Sequence, residues 1–306
     1  MKLAHIRDFT AVVERGSLRG AARYLGLAQP AISRSIRELE RELGVSLFER
    51  SARGATLTPM GELFLRRASA AQNELRQARE EIAQHKGATT GMVAVGLSTV
   101  SHIALLPHAL GRFRERYPDA FIRLTEGLLP SFEGALRDGT LDFYVGPSAE
   151  NSPGQDLLVE KLFDNSRLVF ARKGHPLSGA ASLRDLVGAR WVTTSVTSSS
   201  DAELHPLFER HGLPQPKVEI HATSALAMIM AAASSDALVM LPEQWSDNPI
   251  ARELLQSLKL REVLPAAPIC IVRRARLPLT PAAEYLSDML RRAGEYHATA
   301  RGERRV

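Results

Sequence analysis

The sequence is poor in the features that mark several functional classes. It has one cysteine, Cys270, in 306 residues, which rules out an internal disulfide framework. Cys270 lies in the apolar run Ile269-Cys270-Ile271-Val272 and is expected as a buried strand residue rather than a reactive thiol. No run of about 18 apolar residues occurs, so no membrane span is expected. The N-terminus has no basic-then-apolar leader, and a reducing cytoplasm is the expected compartment. The nine histidines show no metal-ligand spacing; His205 and His211 would diverge on a helix. No Gly-x-Ser-x-Gly elbow, Walker loop or Gly-x-Gly-x-x-Gly is present. Ser101 and His102 are neighbours, and neighbours rarely make a nucleophile–base hydrogen bond. The expectation is therefore no enzyme, no catalytic residues, no metal and no cofactor.

The length predicts two or three domains, and a hydrophobic content of 44% suffices for sizeable cores. Charge is unevenly placed. The chain carries +5 overall; residues 1–67 hold 12 Lys/Arg against 7 Asp/Glu, and the remainder holds 27 of each. All of the excess sits at the N-terminal end, which favours a polyanion partner for that part alone. The basic tail Arg301-Gly302-Glu303-Arg304-Arg305 reads as a frayed, solvated end.

Within the basic part, Gln29-Pro30-Ala31-Ile32-Ser33-Arg34 begins a helix with two faces. Ile32, Ile36, Leu39 and Leu43 form an apolar stripe. Pro30, Ser33, Arg34 and Arg37 fall at i, i+3, i+4 and i+7 and share a basic, hydroxyl-bearing stripe. Proline suits the first turn, where its missing N–H costs nothing. Such a helix fits the DNA major groove. By itself a basic stripe is also what any solvated helix shows. The preceding residues 17–25 read as a second short helix, capped by Ser17, burying Leu18, Ala21, Ala22 and Leu25. Gly26-Leu27-Ala28 turns between the two. The pair is a helix-turn-helix with its second helix as reader. A first helix over residues 3–14 would pack Ile6, Phe9 and Val13 on both. Residues 47–50 and 55–57 read as a two-stranded wing, with Arg50 at its base and Arg53 at its tip, able to reach phosphates or the minor groove.

On these residues the chain resembles a bacterial LysR-type transcriptional regulator. The match is carried by Phe9, Val13, Gly16-Ser17-Leu18, Ala21-Ala22, Leu25, Gln29-Pro30-Ala31-Ile32-Ser33, Leu39-Glu40, Leu43-Gly44, Leu47-Phe48, Arg50, Leu57-Thr58 and Gly61. The resemblance implies DNA contacts at Gln29, Pro30, Ser33, Arg34, Arg50 and Arg53; Arg37 joins them from its place on the stripe. One departure is Ala28, where the family usually has Ser or Thr. Loss of that hydroxyl removes a cap worth about 1 kcal/mol.

Thr58-Pro59 opens a long helix running to about residue 85. Phe64, Ala68, Ala71, Leu75, Ala78 and Ile82 are spaced alternately four and three apart, the heptad of a coiled coil. These six are the expected dimerisation residues, two chains presenting two readers to the half-sites of a near-palindrome. Residues 86–91 read as a hinge.

From residue 92 strands alternate with helices, the signature of a parallel sheet. Strands are expected over 92–97, 120–125, 141–145, 167–171, 190–194, 218–221, 237–240 and 269–273, with helices over 105–117, 130–138, 225–233 and 281–292. Pro107, Phe113, Tyr117-Pro118, Gly139-Thr140-Leu141-Asp142 and His175-Pro176-Leu177 extend the resemblance to nearly the whole chain. It implies two α/β lobes like a periplasmic solute-binding protein, crossed near residues 159–164 and 265–268. The expected class is α/β with an N-terminal all-α winged helix-turn-helix, a long linker helix and a two-lobed periplasmic-binding-protein-like effector domain. The boundaries are 1–58 for the DNA-binding domain, 59–86 for the linker helix, 87–91 for the hinge and 92–306 for the effector domain. Lobe I takes about 92–161 and 268–306, lobe II about 162–267.

Ligands bind beyond the carboxyl ends of parallel strands, where helix N-termini offer free N–H groups. That rule selects Ser98, Thr99, Val100, Ser101, Glu126 and Gly146 in one lobe and Thr194, Ser195 and Thr223 in the other, with Thr197-Ser198-Ser199-Ser200 nearby. So many hydroxyls favour a small anion; Glu126 would repel one unless paired. Helix capping is the commoner role for any one Ser or Thr. Leu136-Arg137-Asp138-Gly139-Thr140-Leu141-Asp142-Phe143, His211-Gly212-Leu213-Pro214 and Leu277-Pro278-Leu279-Thr280-Pro281-Ala282-Ala283 resemble the toluenesulfonate-degradation branch of the family, which implies an aromatic acid as effector. Expected partners are double-stranded DNA, a small-molecule co-inducer, further copies of the chain as dimer and homotetramer, and RNA polymerase; a membrane is not among them. The alternatives are an architectural DNA-binding protein without effector, disfavoured by two hundred neutral residues, and an enzyme with a solute-binding-like fold.

Overall fold

The structure is a computed structural model that describes residues 1–51, 54–148, 154–194, 204–222 and 224–304. The chain divides into two compact units, Met1–Ala88 with Gly134–Thr140, and Thr89–Glu133 with Leu141–Val306.

The first unit holds α1 (Leu3–Arg15), α2 (Leu18–Leu25), α3 (Gln29–Leu43), the hairpin β1 (Phe48–Ser51) and β2 (Gly54–Leu57), and α4 (Pro59–His85). Phe9, Val12, Ala21, Ile32, Leu39 and Leu47 form its core. Ser17 caps α2 by accepting from the Gly20 amide at 3.0 Å. Ala28 caps α3 with no side-chain hydrogen bond, as its missing hydroxyl dictates. Leu43 is exposed, so the apolar stripe of α3 stops one turn earlier than its sequence spacing suggests; Gly44 ends the helix there in the left-handed region.

The hairpin is fixed by backbone groups that its sequence does not advertise. Glu40 Oε1 accepts from the amides of Leu47 at 2.7 Å and Phe48 at 3.3 Å. The Thr58 amide donates to the Leu47 carbonyl, and the Ala55 amide to the Gly16 carbonyl. A Cβ on Gly61 would lie 2.1 Å from the Leu47 carbonyl oxygen, so only glycine lets α4 start this close to the wing.

The second unit is built on one mixed sheet. Its strands are β3 (Gly91–Leu97), β4 (Ala120–Glu126), β5 (Phe143–Pro147), β6 (Leu157–Arg172), β7 (Arg190–Thr194), β8 (Lys217–Ala222), β9 (Ala237–Pro242), β10 (Leu255–Ser257) and β11 (Leu264–Arg274). The helices are α5 (Thr99–Ala104), α6 (Leu106–Arg116), α7 (Leu129–Arg137), α8 (Leu204–Arg210), α9 (Ala225–Ala233), α10 (Pro249–Leu254) and α11 (Pro281–Arg304), of which the second half of α7 falls in the first unit. The order across the sheet is β4-β3-β5-β11-β6-β9-β7-β8. Parallel strands lie at both flanks, β4-β3-β5 and β9-β7-β8. Between them β6 and β11 run antiparallel to each other and to their outer neighbours.

The sequence pattern expects a parallel sheet and two short strands over 167–171 and 269–273. The structure corrects both points: the sheet is mixed, and these are long strands that each belong to two lobes. The first half of β6 and the second half of β11 join the core of Phe113, Phe143, Ile269 and Leu286. The other halves join two cores on the faces of the second lobe, one around Phe170, Ile229 and Val239, the other around Trp191, Phe208 and Leu238. Pairing loses register between Ala266 and Ile269, opposite Phe163–Asn165, which marks the crossing close to its expected place. Cys270 is buried in β11.

Replacing Glu40 with alanine would leave two amides at the wing root without their acceptor. Glu40→Ala should destabilise the N-terminal unit by about 2 kcal/mol, whereas Glu40→Gln, whose amide oxygen still accepts, should lose less than half of that. Denaturant unfolding of the full chain followed by a probe in that unit checks the difference.

Candidate functional site

On α3, Ile32, Ser35, Ile36 and Leu39 face the core, while Gln29, Pro30, Arg34 and Arg37 are exposed and Ser33 is half-buried. Arg37 Nε donates to the Ser33 carbonyl at 3.2 Å, which lays the guanidinium along the helix. A concave surface of about 550 Å³ lies between the start of α2, α3 and the hairpin, lined among others by Ser17, Arg19, Gln29, Ser33, Arg37 and Gly54. The reader helix is thus flanked by a capped helix start on one side and by the wing on the other. Arg50 sits in β1 opposite Ala55; its side chain and the whole of Arg53 lie outside the described residues.

The heptad residues of α4 divide. Phe64 and Ala68 pack into the core of their own unit, and Phe64 meets the Phe9 ring edge-on at 5.0 Å between centroids. They are therefore turned toward their own domain, because the first two turns of α4 close the winged fold. Ala71, Leu75, Ala78 and Ile82 are exposed, Leu75 by 41% and Ile82 by 58%.

In the second unit a cavity of about 280 Å³ opens between the two lobes. From lobe I it is walled by Ser98-Thr99-Val100, Glu126-Gly127-Leu128 and Pro147. From lobe II it is walled by Arg167, Trp191-Val192-Thr193, Leu204, Ser224-Ala225, Met228, Met240-Leu241-Pro242 and Trp245. Ser98 caps α5, accepting from the Ser101 amide at 3.4 Å, with the two hydroxyls 3.1 Å apart. Thr99 donates to Glu126 Oε1 at 3.0 Å. That bond engages the one carboxylate on the wall, among the described residues.

Ser101 and Gly146 lie behind the wall rather than on it. Ser101 is fully buried and donates to the Val145 carbonyl at 2.7 Å. A Cβ on Gly146 would lie 2.2 Å from the Tyr144 hydroxyl and 2.6 Å from Ser98 Cβ, so the glycine makes room for the phenol. Burial pushes the Tyr144 phenol up from its ordinary value. Thr194 ends β7 with its side chain outside the described residues, and Ser195, residues 197–200 and Thr223 lie outside them altogether.

Sequence comparison places these features among known proteins. Residues 3–62 match the family model for a bacterial regulatory helix-turn-helix protein, lysR family, and residues 86–295 match the LysR substrate binding domain. The chain belongs to the LysR family. The regulator TdcA of Escherichia coli (strain K12) is 28% identical over 98% of this chain and 96% of its own. An SDS degradation transcriptional activation protein of Pseudomonas sp. (strain ATCC 19151) is 31% identical over 94% and 95%. Full-length CbnR in complex with its target DNA superposes with a TM-score of 0.70 at 21% identity, covering 96% of this chain and all (100%) of that one. This LysR-family chain is accordingly a DNA-binding transcriptional regulator with an effector-binding domain, and its relatives are regulators rather than enzymes.

Sequence reasoning reaches the lobe I wall of the regulator's cavity and misses most of lobe II. Arg167 is the clearest omission. It stands in the second half of β6, where the pairing with β9 begins, and the rule applied looks after strand ends. Because β6 is antiparallel to β9, Arg167 pairs with Pro242 at the carboxyl end of β9 and so arrives at the same edge. A lone arginine ahead of Leu168-Val169-Phe170-Ala171 was the available signal. Trp191, Met228, Met240 and Trp245 gave none, since in sequence they look like core.

Adding a methyl at Gly146 should destabilise the effector unit by about 1–3 kcal/mol. Tyr144→Phe in the same chain should recover part of the loss, because the two positions touch; a double-mutant cycle by thermal unfolding measures it.

Proposed function

We propose that this regulator senses a small aromatic monoanion, a carboxylate or sulfonate, in the cavity between the two lobes. The observation that carries the reading is Arg167, the only cation among the described residues of a wall otherwise made largely of tryptophan, methionine and aliphatic side chains. In such surroundings a guanidinium favours a planar anionic group that it can bond in two places. The hydroxyls of Ser98 and Thr99, and the start of α9 capped by Ser224, supply further donors; Thr194, Ser195 and Thr223 belong to the same proposal. The ring rests against Trp245 and the methionine and aliphatic side chains beside it. The named role of the SDS-degradation relative is in keeping with a sulfur oxyanion.

The output is transcriptional. Gln29, Pro30, Ser33, Arg34, Arg37, Arg50 and Arg53 are proposed to contact a partly palindromic promoter site, with residues 1–58 as reader, 59–86 as dimerisation helix, 87–91 as hinge and 92–306 as sensor. The exposed stripe Ala71, Leu75, Ala78 and Ile82 pairs two chains. Phe121 and Leu124 on edge strand β4, and Leu226 and Met230 on α9, are exposed apolar residues suited to pairing effector units into a tetramer. Ligand binding then favours one of two pre-existing tetramer shapes and alters access of RNA polymerase to the promoter, in the cytoplasm.

Arg34→Ala should weaken operator binding by about 10–100-fold and leave binding of 4-toluenesulfonate or benzoate unchanged. Arg167→Met should do the reverse. Gel-shift and calorimetric titrations separate the two; parallel losses in both assays for either variant would sink the assignment. Charging the stripe with Leu75→Glu and Ile82→Glu should convert the tetramer to dimers held through the effector units in sedimentation runs.

A further inference from the structure

The sequence pattern closes the last helix near residue 292, yet α11 runs to Arg304. The additional turns bring His297 to the junction of the lobes. Its ring lies 4.8 Å, centroid to centroid, from that of Phe163. Its Nε2 is 3.4 Å from Gln244 Nε2, and the same Gln244 nitrogen is 3.4 Å from Asn165 Oδ1. Gln244 and Asn165 are both buried.

The three residues come from three places that matter to the cavity. Asn165 faces Ala266 where the two crossover strands lose register. Gln244 lies in the 3-10 turn Glu243–Asp247, and the next residue of that turn, Trp245, walls the cavity. The turn also touches α5, whose first residues form the opposite wall. In this arrangement Gln244 Nε2 is the donor and His297 Nε2 the acceptor. Gln244 Oε1 and Asn165 Nδ2 have no partner among the described residues. The side chain of Gln244 is therefore held through its nitrogen alone, by two bonds near the long limit of hydrogen bonding.

We propose that His297 is a positioning residue for the effector cavity: with Asn165 it holds Gln244, and through Gln244 it fixes Trp245 in the cavity wall. Effector affinity is then set partly by the terminal helix, from outside the cavity. The second statement rests on the effector reading above; the first does not.

The chain has two tryptophans, and Trp191 is fully buried, so acrylamide quenching of the full-length protein reports chiefly on Trp245. His297→Leu should raise the ligand-free quenching constant by about 2-fold or more and weaken binding of 4-toluenesulfonate by about 2–10-fold, the range for one lost hydrogen bond. His297→Gln, which can still accept from Gln244, should restore both. The quenching change should vanish in a Trp245→Phe background, and operator binding should show that each variant is folded. Unchanged quenching in His297→Leu, or failure of glutamine to rescue it, overturns the positioning role. If the unaltered protein binds neither 4-toluenesulfonate nor benzoate, the effector reading falls, and the ligand-free quenching still decides the role of His297.

Discussion

The sensing half of the molecule depends on β6 and β11 being paired to each other while each serves two cores. Two strands in one hydrogen-bonded ladder cannot slide independently, so the lobes they join are confined to bending about the place where that ladder is interrupted. The interruption lies at Ala266–Ile269 opposite Phe163–Asn165. A residue just beyond it on either strand sits at the mouth between lobes, as Arg167 does. The antiparallel direction of the crossovers thus delivers a cation to the edge where the parallel strands end.

The reading half relies on a different constraint, close approach at the root of the wing. Glu40 projects from the reader helix and accepts from the first amides of the hairpin, while Gly61 lets the next helix press on the same carbonyl that Thr58 engages. One half-buried carboxylate therefore ties the pose of the wing to the pose of the helix. If the helix and the wing contact DNA as proposed, they gain from being fixed to each other before binding, since ordering them afterwards would reduce affinity.

How far the sequence revealed this follows from what each signal measures. Periodicity found the three helices, the wing and α4, because an amphipathic stripe on a surface helix alternates strongly. It also set the boundaries of β7 and α9 correctly. It failed on the first half of β6, where Glu160, Lys161 and Asp164 break the apolar run even though the backbone continues extended. Those polar side chains are satisfied where they stand: Glu160 takes both Nε and Nη2 of Arg291 from α11, which holds that guanidinium protonated more firmly than usual, and Lys161 pairs with Asp164 at 2.8 Å. Tertiary pairing, which a window of sequence does not contain, decided the strand. The heptad on α4 misled at its first two positions for the reverse reason: Phe64 and Ala68 keep the spacing of a coiled coil while serving the core of their own unit.

The cavity also bears on why hydroxyls alone were an incomplete guide to the ligand. Ser98 is occupied by capping α5 and Thr99 by Glu126, so each has already committed part of its bonding capacity. A hydroxyl in that position can adjust an anion but does not select one. A guanidinium against an apolar wall does select, since a neutral guest displaces its water and returns nothing, whereas a carboxylate or sulfonate replaces the lost hydration with charge-assisted bonds. On that argument the proposed ligand class rests on Arg167 of lobe II, and lobe I, with its capped helix start, supplies the facing wall.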